Sequence, residues 1–157
     1  MKPVPARQSR TIQSSIVLPP DTNHLGTIFG GKVLAYIDEV AAIAAMRHAQ
    51  RPVVTASIDS VDFLSPVQEG DVLTVESFVT WTGRTSMEVY IQVMCERGPG
   101  GERHQTAVSF VTMVAVGEDG QPVEVPPVQP ETEKEKELYR TAPERQRIRK
   151  QRKYRSC

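Results

Sequence analysis

Hydrophobic and polar positions change their rhythm once along the chain. Thr11 to Leu18 is rich in β-branched residues and stops at Pro19-Pro20, which predicts a first strand. Asp21 to Gly26 is polar and turn-forming. Lys32 to Gln50 then contains neither Pro nor Gly, and predicts a long helix. Val33, Leu34, Ile37, Val40, Ile43 and Met46 spread around most of its circumference, so it is expected to be buried on most faces. Ala35, Ala41, Ala42, Ala44 and Ala45 are strong helix formers, small enough to let another layer come close. Arg47 and His48 fall at its C-terminal end, where cations complement the helix dipole.

After Pro52 the period drops to two. Val53 to Phe63 reads as a strand closed by Ser65-Pro66, and Asp71 to Trp81 as the next. A turn at Thr82-Gly83-Arg84 leads into Ser86 to Glu96. There Met87, Val89, Ile91, Val93 and Cys95 alternate with Glu88, Tyr90, Gln92, Met94 and Glu96, the signature of a sheet with unequal faces. Gly98 to Gly101 makes a loop, and His104 to Val116 is the last long strand. One helix serving so large a sheet must be wrapped by it. The expected architecture is therefore α+β: a hotdog fold, an antiparallel sheet around one long central helix.

Gly117 to Pro130 holds four prolines and reads as a linker off the sheet edge. Glu131 to Tyr139 is expected to be helical, with Glu131 and Glu135 in its first turns. Thr141-Ala142-Pro143-Glu144 is expected to interrupt it before a second helical segment, Arg145 to Arg155, partly frayed. The chain thus divides into a hotdog domain over 1–120 and a linker with a charged helical extension over 121–157. Charge follows the same division. Residues 131–157 carry ten Lys or Arg against five Glu, whereas the preceding 130 carry nine against fourteen acids. The zero net charge hides an acidic body and a basic tail.

Composition excludes several classes. No apolar run of about 18 residues exists to span a membrane, and Met1 to Arg10 lacks the apolar core of a secretory signal. Cys95 and Cys157 alone make neither a disulfide framework nor a Cys-x-x-Cys metal pattern. The three His residues lack zinc-like spacing. There is no G-x-S-x-G elbow and no Walker loop. These features predict a cytoplasmic protein.

Asp38 and Glu39 are anomalous in the middle of an apolar helix, because buried carboxylates are costly unless paired, hydrogen-bonded or open to a cavity. Asp38 shares a side with Leu34, Ala41, Ala42 and Ala45, whose small members leave room for a ligand. The competing reading is a solvated helix face, or an ion pair with Arg47 or another strand. Gly30-Gly31 at the helix entrance bares backbone N–H groups suited to an anion or a developing oxyanion. Paired glycines also serve close packing, and Asn23 by itself is a turn former.

Asp21-Thr22-Asn23, Gly26, Ile28-Phe29-Gly30-Gly31-Lys32-Val33-Leu34 and Ile37-Asp38-Glu39 resemble the entry loop and central helix of the acyl-CoA thioester hydrolases, bacterial short enzymes and mammalian brain-type tandem enzymes alike. Asp62-Phe63-Leu64-Ser65-Pro66-Val67 with Gly70-Asp71 is similar to the second strand and turn of that family, so the resemblance covers roughly residues 8–118. It implies a hotdog domain that dimerises by joining sheets and builds hexamers as three dimers. It implies that Asp38 acts as general base toward water or as nucleophile, and that Asn23 crosses the dimer interface to orient water or carbonyl. Amides near Gly30 and Gly31 would polarise that carbonyl. Some relatives carry His before the two glycines; Phe29 stands there in this chain, so one acid–base candidate is missing.

The substrate implied is a fatty acyl-CoA, with coenzyme A leaving as product and no cofactor or metal required, since a thioester is activated and its thiolate leaves well. Coenzyme A brings phosphates, for which the turn Arg84-Thr85-Ser86 offers a cation, hydroxyls and amides. An ordinary hairpin turn is the competing reading. Thr55 and Ser57 on the strand after the helix are expected to face the cleft. Two rivals come from other classes. A hydratase or dehydratase would want His beside the carboxylate, and His48 lies almost three turns from Asp38. A noncatalytic acyl-CoA sensor would touch nucleic acid through 145–155; with no DNA-reading helix evident, nucleic acid is not the expected partner.

Overall fold

The computed structural model describes residues 1–152. Its main sheet has five antiparallel strands in the order β2-β4-β5-β6-β3: β2 Thr11–Ile16, β3 Val53–Ile58, β4 Val72–Thr82, β5 Ser86–Glu96 and β6 Arg103–Ala115. A short parallel pair joins β1 (Val4–Pro5) to β7 (Val128–Gln129). Helix α1, Gly30–Ala49, fills the concave side of the sheet, and helix α2, Glu133–Arg152, covers part of the other side. This is the hotdog plan expected from the alternation and the single long apolar helix.

Helix α1 begins two residues before the expected Lys32. Gly30 and Gly31 occupy its first turn, where N–H groups have no partner inside the helix anyway. It ends at Ala49, with Gln50 in the left-handed region at φ 56° and its N–H bonded to Met46 O. Val33, Ile37, Val40, Ala41, Ala44 and Ala45 meet the sheet. Burial is less complete than the pattern suggests: Leu34, Ala35, Glu39 and Met46 stay exposed along one face. His48 also departs from expectation. It is buried, its Nε2–H donates to Pro126 O at 2.7 Å, and desolvation holds the imidazole below its usual value, so it is no surface cation at the helix end.

Strand β3 stops at Ile58, five residues short of the expected Phe63. Asp59 is drawn off by Arg149 and Arg152 of α2, at 3.1 and 2.7 Å. Among the described residues only one edge of β3 is hydrogen-bonded, to β6, and the other lies open.

The stretch 117–130, read as a linker, instead packs on the body: Val125 and Val128 are buried, and Val125 N–H bonds Arg84 O. Helix α2 is continuous through Pro143, where an interruption was expected. Proline deletes one backbone donor. The surrounding turn is held by side chains instead, Thr141 Oγ1 to Glu137 O at 2.9 Å and Arg145 to Leu138 O at 2.6 Å. Thr132 and Glu135 form a reciprocal cap at its start. The end of the expected second helical segment, 153–155, lies outside the described residues.

What docks α2 is charge and aromatic surface. Phe78, Tyr90 and Phe110 form a ladder across three strands, with ring centroids 5.5 Å apart. Lys134 and Arg145 lie over Tyr90 and Phe110. Glu88, which the alternation places on the polar face, is 2% exposed beneath the helix. It accepts from Thr80 Oγ1, Arg145 and Arg149. Burial pushes the Asp59 carboxyl up, but hydrogen bonds from Arg149 and Arg152 outweigh this and hold it below the usual range. Its contribution is therefore present at neutral pH and lost as pH falls through that lowered value. Removing one member of such a cluster strands the others without water. Glu88→Ala is expected to cost about 3–5 kcal/mol in urea unfolding; a loss under about 1 kcal/mol would show that the cluster does not anchor α2.

Candidate active site

Asp38 sits midway along α1 on the side where the sheet ends. The sequence places small residues beside it, Ala35 and Ala42, and none of the described residues covers that face. Thr55 of β3 donates its hydroxyl to Asp38 Oδ1 at 2.6 Å. The register explains the aim of Thr55. It pairs with Met113, fully buried on the α1 side of the sheet, and partners in an antiparallel ladder share a face. A bulge follows, and the next aligned pair is Ser57 with Thr112.

That bulge overturns one expectation. Ser57 does not face the cleft with Thr55; it lines a hollow with Arg149 and Arg152 on the α2 side. The ion pair weighed for Asp38 is also absent, because Arg47 donates instead to Arg10 O and Thr11 Oγ1, both at 3.0 Å. Among the described residues no cation pairs with Asp38. The carboxylate thus has one oxygen oriented by a hydroxyl and the other free for a proton, a water or a carbonyl carbon.

The entry loop is built around Asn23. Its side-chain oxygen accepts from the N–H groups of Leu25 (2.9 Å) and Thr27 (3.2 Å), and its Nδ2 donates to Thr27 Oγ1 at 2.9 Å. The turn needs Gly26 at φ +79°, a conformation that side chains resist. Asp21 fastens the loop to the helix start through Lys32, 3.5 Å away. Every hydrogen bond of Asn23 stays within this loop, and none reaches Asp38 of the same chain.

Gly30 and Gly31 open α1 at the positive end of its dipole. Phe29 is the N-cap, no side chain caps the helix, and Phe29 O is taken by the N–H groups of Lys32 and Val33. The first N–H groups are left to a ligand. Space for one exists at Gly31, where a Cβ would meet nothing within 4 Å, whereas at Gly30 it would meet the Phe63 ring at 3.4 Å.

The turn Arg84-Thr85-Ser86 is tied to the segment after β6. Arg84 pairs with Glu124 at 3.5 Å, and Ala115 N–H bonds Thr85 O. His24 is exposed, and Cys95 is buried, its thiol pushed up to about 11 by desolvation and by Asp71. One feature escaped the pattern: Phe63, Leu64 and Ser65, assigned in part to a strand, form a loop over a cavity beside Gly30. In the periodicity, Ser65-Pro66 was its signal. Among the described residues no group of His, Cys, Asp and Glu is placed to hold a metal, and no helix is long and apolar enough to cross a membrane.

Comparison with known proteins agrees with this geometry. Residues 25–102 match the model of the thioesterase superfamily. The chain is 50% identical to an uncharacterised acyl-CoA thioester hydrolase of Bacillus subtilis, over 94% of this chain and 86% of that one. It is similar to a solved apo-hexameric acyl-CoA thioesterase, with 61% identity, TM-score 0.95, and 99% and 100% of the two chains covered. It is also similar to the acyl-CoA hydrolase of Staphylococcus aureus solved with butyryl coenzyme A, coenzyme A and coenzyme A disulfide, at 44% identity and TM-score 0.91, over 96% of this chain and 92% of that one. Three further structures of the Staphylococcus enzyme carry single alanine substitutions of an asparagine, an aspartate and a threonine. These are spaced along that chain as Asn23, Asp38 and Thr55 are spaced here.

Because the Asn23 side chain closes its loop through Leu25 and Thr27, Asn23→Ala is expected to free it. Amide exchange at Leu25 and Thr27 should accelerate by about tenfold or more, while the middle of α1 keeps its protection. Unchanged exchange at both amides would contradict this role.

Proposed function

From the premise that the chain belongs to the thioesterase superfamily, among its acyl-CoA thioester hydrolases, we propose that it hydrolyses acyl-CoA to a free fatty acid and coenzyme A. The observation that carries this reading is the Asp38–Thr55 bond of 2.6 Å on a face of α1 left uncovered by the chain itself. A carboxylate so held is aligned without being neutralised.

As general base, Asp38 takes a proton from water while the water oxygen bonds to the thioester carbon. The carbonyl electrons move onto oxygen, where the N–H groups of Gly30 and Gly31 stabilise the oxyanion. Collapse breaks the C–S bond, and the proton held by Asp38 passes to the departing thiolate. In the nucleophilic variant Asp38 attacks the carbon itself and water cleaves the resulting anhydride. Both routes leave the same products and the same need for Thr55.

Asn23 spends its bonds on its own loop, and the face around Asp38 is open. Both facts support a site completed by a second copy, with Asn23 arriving from the partner subunit. The free edge of β3 is the natural seam, since unpaired strand edges join readily. Exposed Leu34 and Met46 beside it favour the same covering. We propose a dimer formed this way and a hexamer of three dimers; the similar apo-hexameric acyl-CoA thioesterase supports the higher assembly.

For the phosphates of coenzyme A we propose Arg84, Thr85 and Ser86. The Arg84–Glu124 pair is exposed on both sides, and such pairs are weak enough for a phosphate to displace. We place the reaction in the cytoplasm, where acyl-CoA and a reduced Cys95 belong. The sensor reading loses support because, among the described residues, Arg145, Arg147, Arg149 and Arg152 all have acidic partners.

Release of free coenzyme A, followed with a thiol reagent, tests the proposal. Wild type should turn over acyl-CoA, and a folded Asp38→Ala variant should be slower by on the order of a hundredfold or more. Binding of acyl-CoA without release by wild type would overturn the hydrolase reading.

A further inference from the structure

The loop 59–66 roofs a cavity of about 310 Å³ at the entrance of α1. Gly30 stands at its lip with the half-exposed Phe63 and Leu64, while Val33, Val67 and Thr106 make a buried floor. The lining is mainly apolar, with Ile28 and Pro66 completing the wall. Leu64 N–H bonds Thr106 O at 2.9 Å, which pins the roof to β6.

Two side chains do not fit a purely greasy pocket. Thr106 is 1% exposed, and its hydroxyl has no oxygen or nitrogen partner, with only the weakly bonding Cys95 thiol beside it. The Ser65 hydroxyl is likewise buried and unpartnered. Buried hydroxyls are normally satisfied by protein or water.

We propose that this cavity receives the acyl group of the substrate and that Thr106, with Ser65, sets a short upper limit on its length. The inference rests on the hydrolase reading, because it is the carbonyl held at the Gly30 and Gly31 amides that puts the attached chain within reach of the cavity. The volume is at the lower end of the roughly 300–1,000 Å³ of small-molecule pockets. The hydroxyls act more sharply than the volume. A short chain leaves room for a water that bonds both of them. A long chain displaces that water and leaves two donors dry, which costs roughly tenfold or more in affinity. Selectivity against long chains thus comes from unsatisfied polarity at the floor, a stronger device than steric exclusion by one methylene.

Thr106→Val tests this, since it keeps shape and removes only the hydroxyl. The preference for butyryl-CoA over dodecanoyl-CoA, taken as the ratio of kcat/KM values, should fall at least fivefold. Dodecanoyl-CoA should gain relative to butyryl-CoA, and adding Ser65→Ala should lower the ratio further. The same ratio read as Kd values by calorimetry decides the matter independently of catalysis. A preference unchanged in both measurements would overturn the assignment of the cavity. Absence of turnover in wild type with the predicted shift in Kd would instead overturn the hydrolase reading and leave the acyl pocket standing.

Discussion

Ala41, Ala44 and Ala45 have nothing beyond Cβ, so the sheet descends onto the backbone of α1 itself. The approach is close enough for Ser77 Oγ of β4 to donate to Val40 O at 3.1 Å. Much else follows from that contact. Larger residues there would lift the sheet away from the helix, and packed interiors do not tolerate such gaps. With the sheet down, β3 runs beside α1 at the level of Asp38, and a threonine hydroxyl can reach the carboxylate. The cost of placing an acid in an apolar helix is met by one hydrogen bond and by an open face. The same proximity leaves a five-stranded sheet unable to enclose the helix all round, which is why Leu34, Ala35 and Met46 remain uncovered.

On the proposed reading the chain supplies half of a site. Asp38 and Thr55 are rigid, held on a helix and a strand; Asn23 and the glycine amides belong to a loop and a helix end whose bonds are satisfied locally or left free. Preorganisation of this kind needs no rearrangement to accept a partner, only a surface brought alongside. The α2 side of the sheet contributes indirectly. Arg149 and Arg152 hold Asp59, the first residue of the loop that roofs the cavity by Gly30. An ion cluster beneath α2 therefore reaches the neighbourhood of the chemistry through seven residues of loop rather than through a side chain in the cleft.

Much of this was legible in the sequence. The change from helical to strand periodicity at Pro52 located the helix and most strand ends; two carboxylates in an Ala-rich stretch flagged Asp38 and Glu39, and the resemblance to the acyl-CoA thioester hydrolases chose Asp38 between them. Where reading stopped, the reason is physical. Alternation assigns a residue to a face of the sheet but cannot say what covers that face, so Glu88 looked solvated although α2 buries it. A bulge shifts the phase by one residue without altering the hydrophobic pattern, so Thr55 and Ser57 were placed together and are in fact divided. Pro143 was read as a break because propensity ignores the side chains of Thr141 and Arg145 that hold the turn. The cavity beside Gly30 depends on how a loop folds back over β6, which no local rhythm encodes.

The central claim is that Asp38 of one copy works with Asn23 of another, and co-assembly of two damaged chains tests it most directly. Asn23→Ala and Asp38→Ala proteins are each expected to be nearly inactive alone. When they are unfolded and refolded together, mixed dimers contain one site with both native residues, so acyl-CoA hydrolysis should return to a substantial fraction of wild type. Refolded mixtures that form full mixed assemblies yet stay as inactive as their parents would contradict the claim and return both residues to a single chain.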